Sequence, residues 1–225
     1  MAAPETVGGA RANGSGAGAL RWGGIGGIVF AVAFVVGVLL TTDTPDGDAP
    51  NREWREYFAD SGNRWMVIIG AFVLALAVLG LLVFLSTLRE RVRGSSGSEW
   101  FSTAMLASGI TLVVMIGVGG ATLAAVAASI EIGEGSVPRS ADIPRTIESI
   151  GFGAILVFGM AAAGLMIATA TVAGKRAGLL PGWLAITGYV VAVLVLLGGV
   201  FFIPLVLLVL WVLAVSILLL RQPSG

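Results

Sequence analysis

The side chains of this chain that could do chemistry are carboxylates and arginines, and fifteen of them fall in two short stretches, 42–64 and 129–148. Ten of the fifteen are Asp or Glu and five are Arg. Asp43, Asp46 and Asp48 surround Gly47 in a turn-rich run. Three carboxylates around a glycine match part of a calcium loop, because hard cations take several oxygen ligands. The full D-x-[DN]-x-[DN]-G pattern with its distal Glu is missing, so a solvated acidic turn is the expected state.

Behind Pro50 the chain runs Asn51-Arg52-Glu53-Trp54-Arg55-Glu56-Tyr57-Phe58-Ala59-Asp60. Asn51 is the expected N-cap, and Trp54, Tyr57 and Phe58 share one face at helical spacing. Arg52 can pair with Glu56, and Asp60 with Arg64, each at i, i+4. The spacing predicts a short amphipathic segment over 51–64 on the outer membrane surface. Its aromatic face is expected to anchor at headgroup depth, the competing role being a lid over the bundle. In the second stretch Asp142 before Ile143-Pro144 reads as a helix start. Glu148 stands closest to the apolar boundary and is the candidate for a carboxylate at the bundle's outer end. The candidate interaction site is therefore Trp54, Tyr57, Asp60 and Arg64 facing Asp142, Arg145 and Glu148.

Histidine and cysteine are both absent. That removes thiol nucleophiles, disulfides, the usual zinc and haem ligands and any imidazole base. Intramembrane proteases of the Ser–His kind and acyl- or prenyl-processing enzymes built on His or Cys are excluded with them. No D-x-x-x-D lies at the inner face to hold a metal for lipid phosphotransfer. Ion-coupled pumps keep charges inside their spans, where charge is costly, and none is present here. The expected protein is not an enzyme and uses no cofactor and no metal.

The elements that position these residues are legible from charge alone. Stretches 22–42, 65–88, 100–130, 149–174 and 177–220 carry no charged residue. A helix crossing a ~30 Å hydrocarbon core needs about 20 apolar residues. The first four stretches hold one span each, near 22–41, 65–87, 102–128 and 149–173. The last is too long for one: from Trp183 to Leu220 a single helix would reach about 57 Å. Gly198-Gly199 and Pro204 offer a turn, which predicts spans near 182–199 and 203–220. The fold class expected is all-α, a polytopic bundle of six spans over 21–221, with five as the alternative.

With six spans, Arg11, Arg21, Arg89, Arg91, Arg93, Lys175, Arg176 and Arg221 share a side with Glu5, Glu90 and Glu99. Cations in short loops mark the cytoplasmic side, so both termini are expected there. The first apolar run exceeds a signal peptide's 7–15 residues and has no A-x-A-like site after it, so a retained helix is expected. Residues 1–20 are expected to form a disordered cytoplasmic tail. Within the spans the polar groups are hydroxyls, chiefly Thr103, Ser108, Thr111, Thr122, Ser129, Thr169, Thr171, Thr187, Tyr189 and Ser216, whose ordinary role is a bond to their own helix. Small residues at four-residue spacing (Gly23, Gly27 and Ala31; Gly159 and Ala163) predict close helix packing.

Two functions fit this inventory. One is a non-catalytic membrane protein that packs with another membrane or envelope component. The other is a transporter or permeation protein for an uncharged or weakly polar solute, which would need hydroxyls from several helices to converge. The partners expected are the lipid bilayer and, on the first reading, another membrane protein, with no nucleic acid. The runs from Thr44 to Ala77, Phe84 to Gly94, Leu179 to Leu197 and Leu210 to Arg221 resemble an actinobacterial group of six-span integral membrane proteins of unknown function. The E-W-x-x-Y-F-A-D-S-G-N-R stretch from Glu53 to Arg64 is the most distinctive part. The resemblance implies a multi-pass protein of the bacterial plasma membrane and carries no activity, cofactor or site residue.

Overall fold

The computed structural model of the protein describes residues 13–93, 99–198 and 202–221, with side chains from residue 21 onward. Its helices are α1 (Asn13–Thr41), α2 (Asn51–Ala59), α3 (Ser61–Arg93), α4 (Glu99–Glu131), α5 (Asp142–Gly153), α6 (Met160–Arg176), α7 (Gly182–Leu197) and α8 (Ile203–Arg221). A π-helical turn, Ala154–Gly159, joins α5 to α6, so that Asp142–Arg176 forms one continuous rod. Five of these rods are long and apolar enough to cross a membrane, and α7 is a shorter apolar helix. The chain is a multi-pass integral membrane protein.

The long helices close into a ring in which α1 packs on α3, α3 on α4, α4 on α6, α6 on α7, α7 on α8 and α8 back on α1. Its centre is filled with side chains: Phe30, Phe34, Leu81, Phe84, Leu112 and Met166 are all fully buried members of one cluster. The lipid-facing surface is apolar as well, with Phe72, Leu79, Ile186 and Leu197 among its exposed side chains.

The long apolar run 177–220 does divide in two. Gly198 ends α7, its N–H bonded to Leu194 O at 2.9 Å, and Pro204 lies in the first turn of α8, where a missing N–H costs nothing. Gly199 lies outside the described residues. Phe202 packs edge-on against Phe152, one turn beyond Glu148, with ring centroids 6.4 Å apart. The start of α8 is therefore at the acidic end of the bundle. At the other end of α8, Leu220 lies against Gly24 of α1. Both α1 and α8 thus have their outer chain ends at the cationic end. The helix α7 spans about 24 Å at 1.5 Å per residue, a little short of a ~30 Å core.

One boundary differs from the expectation. Residues 13–20 are helical and extend α1, where an unstructured tail over 1–20 was expected; residues 1–12 lie outside the described residues. Propagating an existing helix costs far less than starting one, and this Gly, Ala and Ser run contains no proline to stop it.

Small residues set how closely α1 approaches its neighbours. Gly23 lies against Thr87, and Gly27 against Ser216 and Phe84, as the four-residue spacing predicted. The tightest backbone contact is one the spacing did not single out. A Cβ on Gly26 would stand 2.8 Å from Gly80 O, and one on Gly80 would stand 2.6 Å from Gly26 O. Here α1 and α3 meet backbone to backbone, and a methyl has nowhere to go. Gly26→Ala and Gly80→Ala should each destabilise the detergent-solubilised protein by about 1–3 kcal/mol, read as a lowered unfolding midpoint. Gly117→Ala should be neutral or mildly stabilising, because its added carbon meets nothing within 4 Å.

Candidate functional site

Water returns at the acidic end, and the two polar stretches fold over it together. The short helix α2 lays its aromatic face inward: Trp54 and Phe58 are buried in a second apolar cluster with Val67, Ile68, Ala127 and Ala141. The rings of Trp54 and Phe58 stack, and Tyr57 meets Phe58 edge-on at 5.2 Å. Their expected role as anchors in the headgroups is thus corrected. The bundle offers an apolar seat, Val67 and Ile68 of α3 with Ala124 and Ala127 of α4, and burial against it is favoured over a half-wet interface. In this sense α2 is a cap on the bundle.

The corner between α2 and α3 is built by three polar side chains, Asp60, Asn63 and Arg64. Asp60 Oδ1 accepts the Gly62 N–H at 2.6 Å and so caps the start of α3. Asn63 Nδ2 donates to Tyr57 O at 3.3 Å, and Arg64 Nη1 donates to Phe58 O. These are carbonyls that the end of α2 would otherwise leave unpaired. The predicted Asp60–Arg64 pair is therefore corrected: each residue is already used by backbone. Arg64 turns instead to Glu131, at the end of α4, with Nη2–Oε1 2.5 Å and both side chains less than one-fifth exposed. Arg52 and Glu56 do pair, at 2.6 Å on the exposed face of α2.

Four further bonds lace the first polar stretch to the second. Asn51 Oδ1 accepts the Ala141 N–H at 3.1 Å, so Asn51 bridges the loops while Pro50 occupies the cap position expected for it. Arg55 Nη2 donates to Arg139 O at 3.0 Å. Arg145 Nη2 donates to Ala49 O, and Thr44 Oγ1 donates to Glu148 Oε1. Tyr57 sits half-buried among these groups. Burial first, and then the carboxylates of Asp43 and Glu148, push its hydroxyl up to about 12. That phenol, the Trp54 Nε1 and the Arg145 Nε are all buried without a hydrogen-bond partner.

Of the seven residues expected to face one another, the structure gathers Trp54, Tyr57, Arg145 and Glu148 under or beside the cap. Asp60 and Asp142 remain at the exposed rim, Asp142 only 4.0 Å from Arg145 and bonded to Ser140. Arg64 belongs to the corner. Sequence spacing missed Glu131, Thr44 and Asn51 as partners because each contact joins residues far apart in the chain.

Where α1, α4, α5 and the start of α8 meet, there is little room. The cavity between Thr41, Thr42, Leu123, Phe152 and Phe202 is about 10 Å³, enough for one water at most. Buried hydroxyls of α3, α4, α6 and α8 do lie in the cationic half of the bundle, yet each is turned to its own helix. Thr87, Ser108, Thr169, Thr171 and Ser216 donate to the carbonyls of Val83, Ala104, Leu165, Ile167 and Val212. No family model, curated protein or solved structure matches this chain.

Removing one partner of a buried ion pair strands the other, at a cost of about 3–5 kcal/mol. Arg64→Met and Glu131→Gln should each lower the unfolding midpoint strongly, and a double-mutant cycle should give a coupling of about 1–3 kcal/mol. The same cycle on Asp60 and Arg64 should give no coupling, with Asp60→Ala costing only the ~1 kcal/mol of a lost cap.

Proposed function

We propose that this is a non-catalytic membrane protein whose acidic cap is a contact surface for another membrane or envelope component. The observation that carries this reading is the cap itself. Trp54 and Phe58 fix α2 rigidly to the bundle, while Arg52, Glu53, Arg55 and Glu56 are left exposed on its opposite face. A rigid, charged, outward helix face is suited to recognition.

The alternative, a transporter for an uncharged or weakly polar solute, has less support. A permeation path needs polar groups free to meet the solute, and the buried hydroxyls above are spent on their own helices. The groove of about 340 Å³ between α3 and α4 is lined by Ala71, Phe72, Ala75, Gly117, Gly120 and Ala121. Such a lining accepts hydrocarbon and gives a polar solute nothing to bind.

We place the chain, on its resemblance, in the actinobacterial six-span group and in the plasma membrane. The charge distribution supports a cytoplasmic cationic end, which turns the cap outward.

A photo-crosslinking residue at Glu53 or Glu56, in native membranes, should give a discrete adduct that is lost when the remaining acidic neighbour is changed to Lys. The same probe at lipid-facing Leu79 should not give it. Absence of a cap-specific adduct, together with solute uptake by proteoliposomes, would favour the transport reading instead.

A further inference from the structure

Between α3 and α4 at the cationic end lies a cleft of about 280 Å³, lined by Ser86, Arg89, Glu90 and Arg93 of α3 and Leu106 of α4. We propose that it binds a phospholipid headgroup in which a phosphate is joined to a primary amine, as in phosphatidylethanolamine. The proposal is independent of the cap's function.

The first observation is a buried donor with nothing to bond. Arg89 Nε is shut off from solvent, and among the described residues it has no hydrogen-bond partner. A charged group left short of an acceptor is costly, and the cleft that Arg89 lines is where an acceptor can enter. Arg93, one turn further along α3, adds a second guanidinium to the same wall. Two forked donors in one cleft suit the oxygens of a phosphate.

The second is the opposite chemistry beside them. At 3.6 residues per turn the four α3 residues fall within an arc of about 100°, in the order Arg89, Arg93, Ser86, Glu90. The two cations therefore occupy one side of the wall and the two oxygen-bearing side chains the other. Ser86 Oγ already donates to Leu82 O at 2.8 Å, so what it offers a ligand is lone pairs. Glu90 is exposed and, when ionised, can only accept. A bare anion would meet attraction on one side and repulsion on the other. A phosphate with an ammonium a short carbon link away meets attraction on both.

The third is depth. Trp100, in the first turn of α4, is about two-thirds exposed, as tryptophans at a membrane–water boundary are. Ser86 and Leu106 each lie about 10 Å from that end of their helices, at 1.5 Å per residue. Beyond them the surface is apolar, with Val83 and Ile110 exposed. The cleft thus stands at headgroup level above a hydrocarbon-facing wall, which a lipid covers and a soluble phosphoamine does not.

Cations near a helix C-terminus also offset its dipole, and Glu90 can pair with Arg93 across one turn in water. That bland reading leaves Arg89 Nε without an acceptor and predicts no preference among headgroups.

The test uses the full chain, delipidated in detergent, with bound ligand read by native mass spectrometry. It is titrated with phosphatidylethanolamine, phosphatidylglycerol, phosphatidylcholine or O-phosphoethanolamine, and the first should bind most tightly. Each cation at a phosphate headgroup gives about a five-fold gain in binding, so R89Q/R93Q should weaken phosphatidylethanolamine about thirty-fold. R91Q/R221Q removes the same charge elsewhere on this end and should leave the affinity unchanged. E90Q should act with opposite signs, weakening phosphatidylethanolamine about two- to five-fold and strengthening phosphatidylglycerol. Glu90 is exposed, so this variant tests the proposal even if the arginine variants fail to fold. Equal losses in the two double variants, or E90Q changing both lipids alike, would overturn the proposal. Phosphatidylcholine binding as tightly would overturn it too, since a quaternary ammonium has no N–H to give. Displacement of the lipid by equimolar O-phosphoethanolamine would overturn the lipid source and reassign the cleft to a soluble phosphoamine.

Discussion

Inside a bilayer there is no water to satisfy a polar group, and this single constraint organises the molecule. Charge is confined to the two ends, and the backbone between them is helical throughout the described residues. The hydroxyls that remain in the spans turn back on their own carbonyls. Because lipid offers no hydrophobic incentive for helices to associate, cohesion has to come from close contact. Gly26 against Gly80 is the clearest instance: removal of two side chains lets the α1 and α3 backbones touch. The Trp211 Nε1, buried beside Gly188 without a partner, departs from the rule.

At the acidic end the constraint relaxes, and the structure changes character accordingly. The chain there uses side chains to close off helix ends and to tie loops together. Asp60, Asn63 and Arg64 between them finish α2 and start α3 within a few residues. The Arg64–Glu131 pair then locks that corner to α4, and the laced loops hold α5 against the cap. A cap assembled in this way is stiff, and its outward face is a surface with a defined shape and charge. The cationic end is built differently, with charges in helix last turns and exposed tryptophans at the boundary, as suits a face that meets lipid headgroups.

Much of this was legible in the sequence, and the parts that were not share a cause. The uncharged stretches gave the long helices, because charge is excluded from hydrocarbon whatever the fold. The length of 177–220 together with Gly198 and Pro204 gave the α7–α8 hairpin for the same reason. Arg52–Glu56 was readable because helical geometry alone decides an i, i+4 pair. Asp60–Arg64 failed on the same rule, since the helix breaks at Asp60 and both residues find backbone partners there. Arg64–Glu131, Asn51–Ala141 and Thr44–Glu148 join residues more than sixty positions apart, and no local pattern encodes them. The inward turn of Trp54 and Phe58 depended on an apolar seat on α3 and α4 that only the tertiary fold assembles. Periodicity could find that face but could not tell lipid from protein as its partner.

The central claim is that the bundle is solid, so that whatever the protein does is done at its surfaces. The chain contains no cysteine, so single cysteines can be introduced without a background. Ser108→Cys, Ala163→Cys and Ser216→Cys place thiols at buried positions of α4, α6 and α8, and Glu53→Cys places one on the exposed cap. Labelling with a charged, water-soluble thiol reagent in intact membranes should reach residue 53 rapidly and leave residues 108, 163 and 216 unmodified. Rapid labelling at two or more of those three positions would mean that water enters the bundle, and a permeation pathway would replace the contact-surface reading.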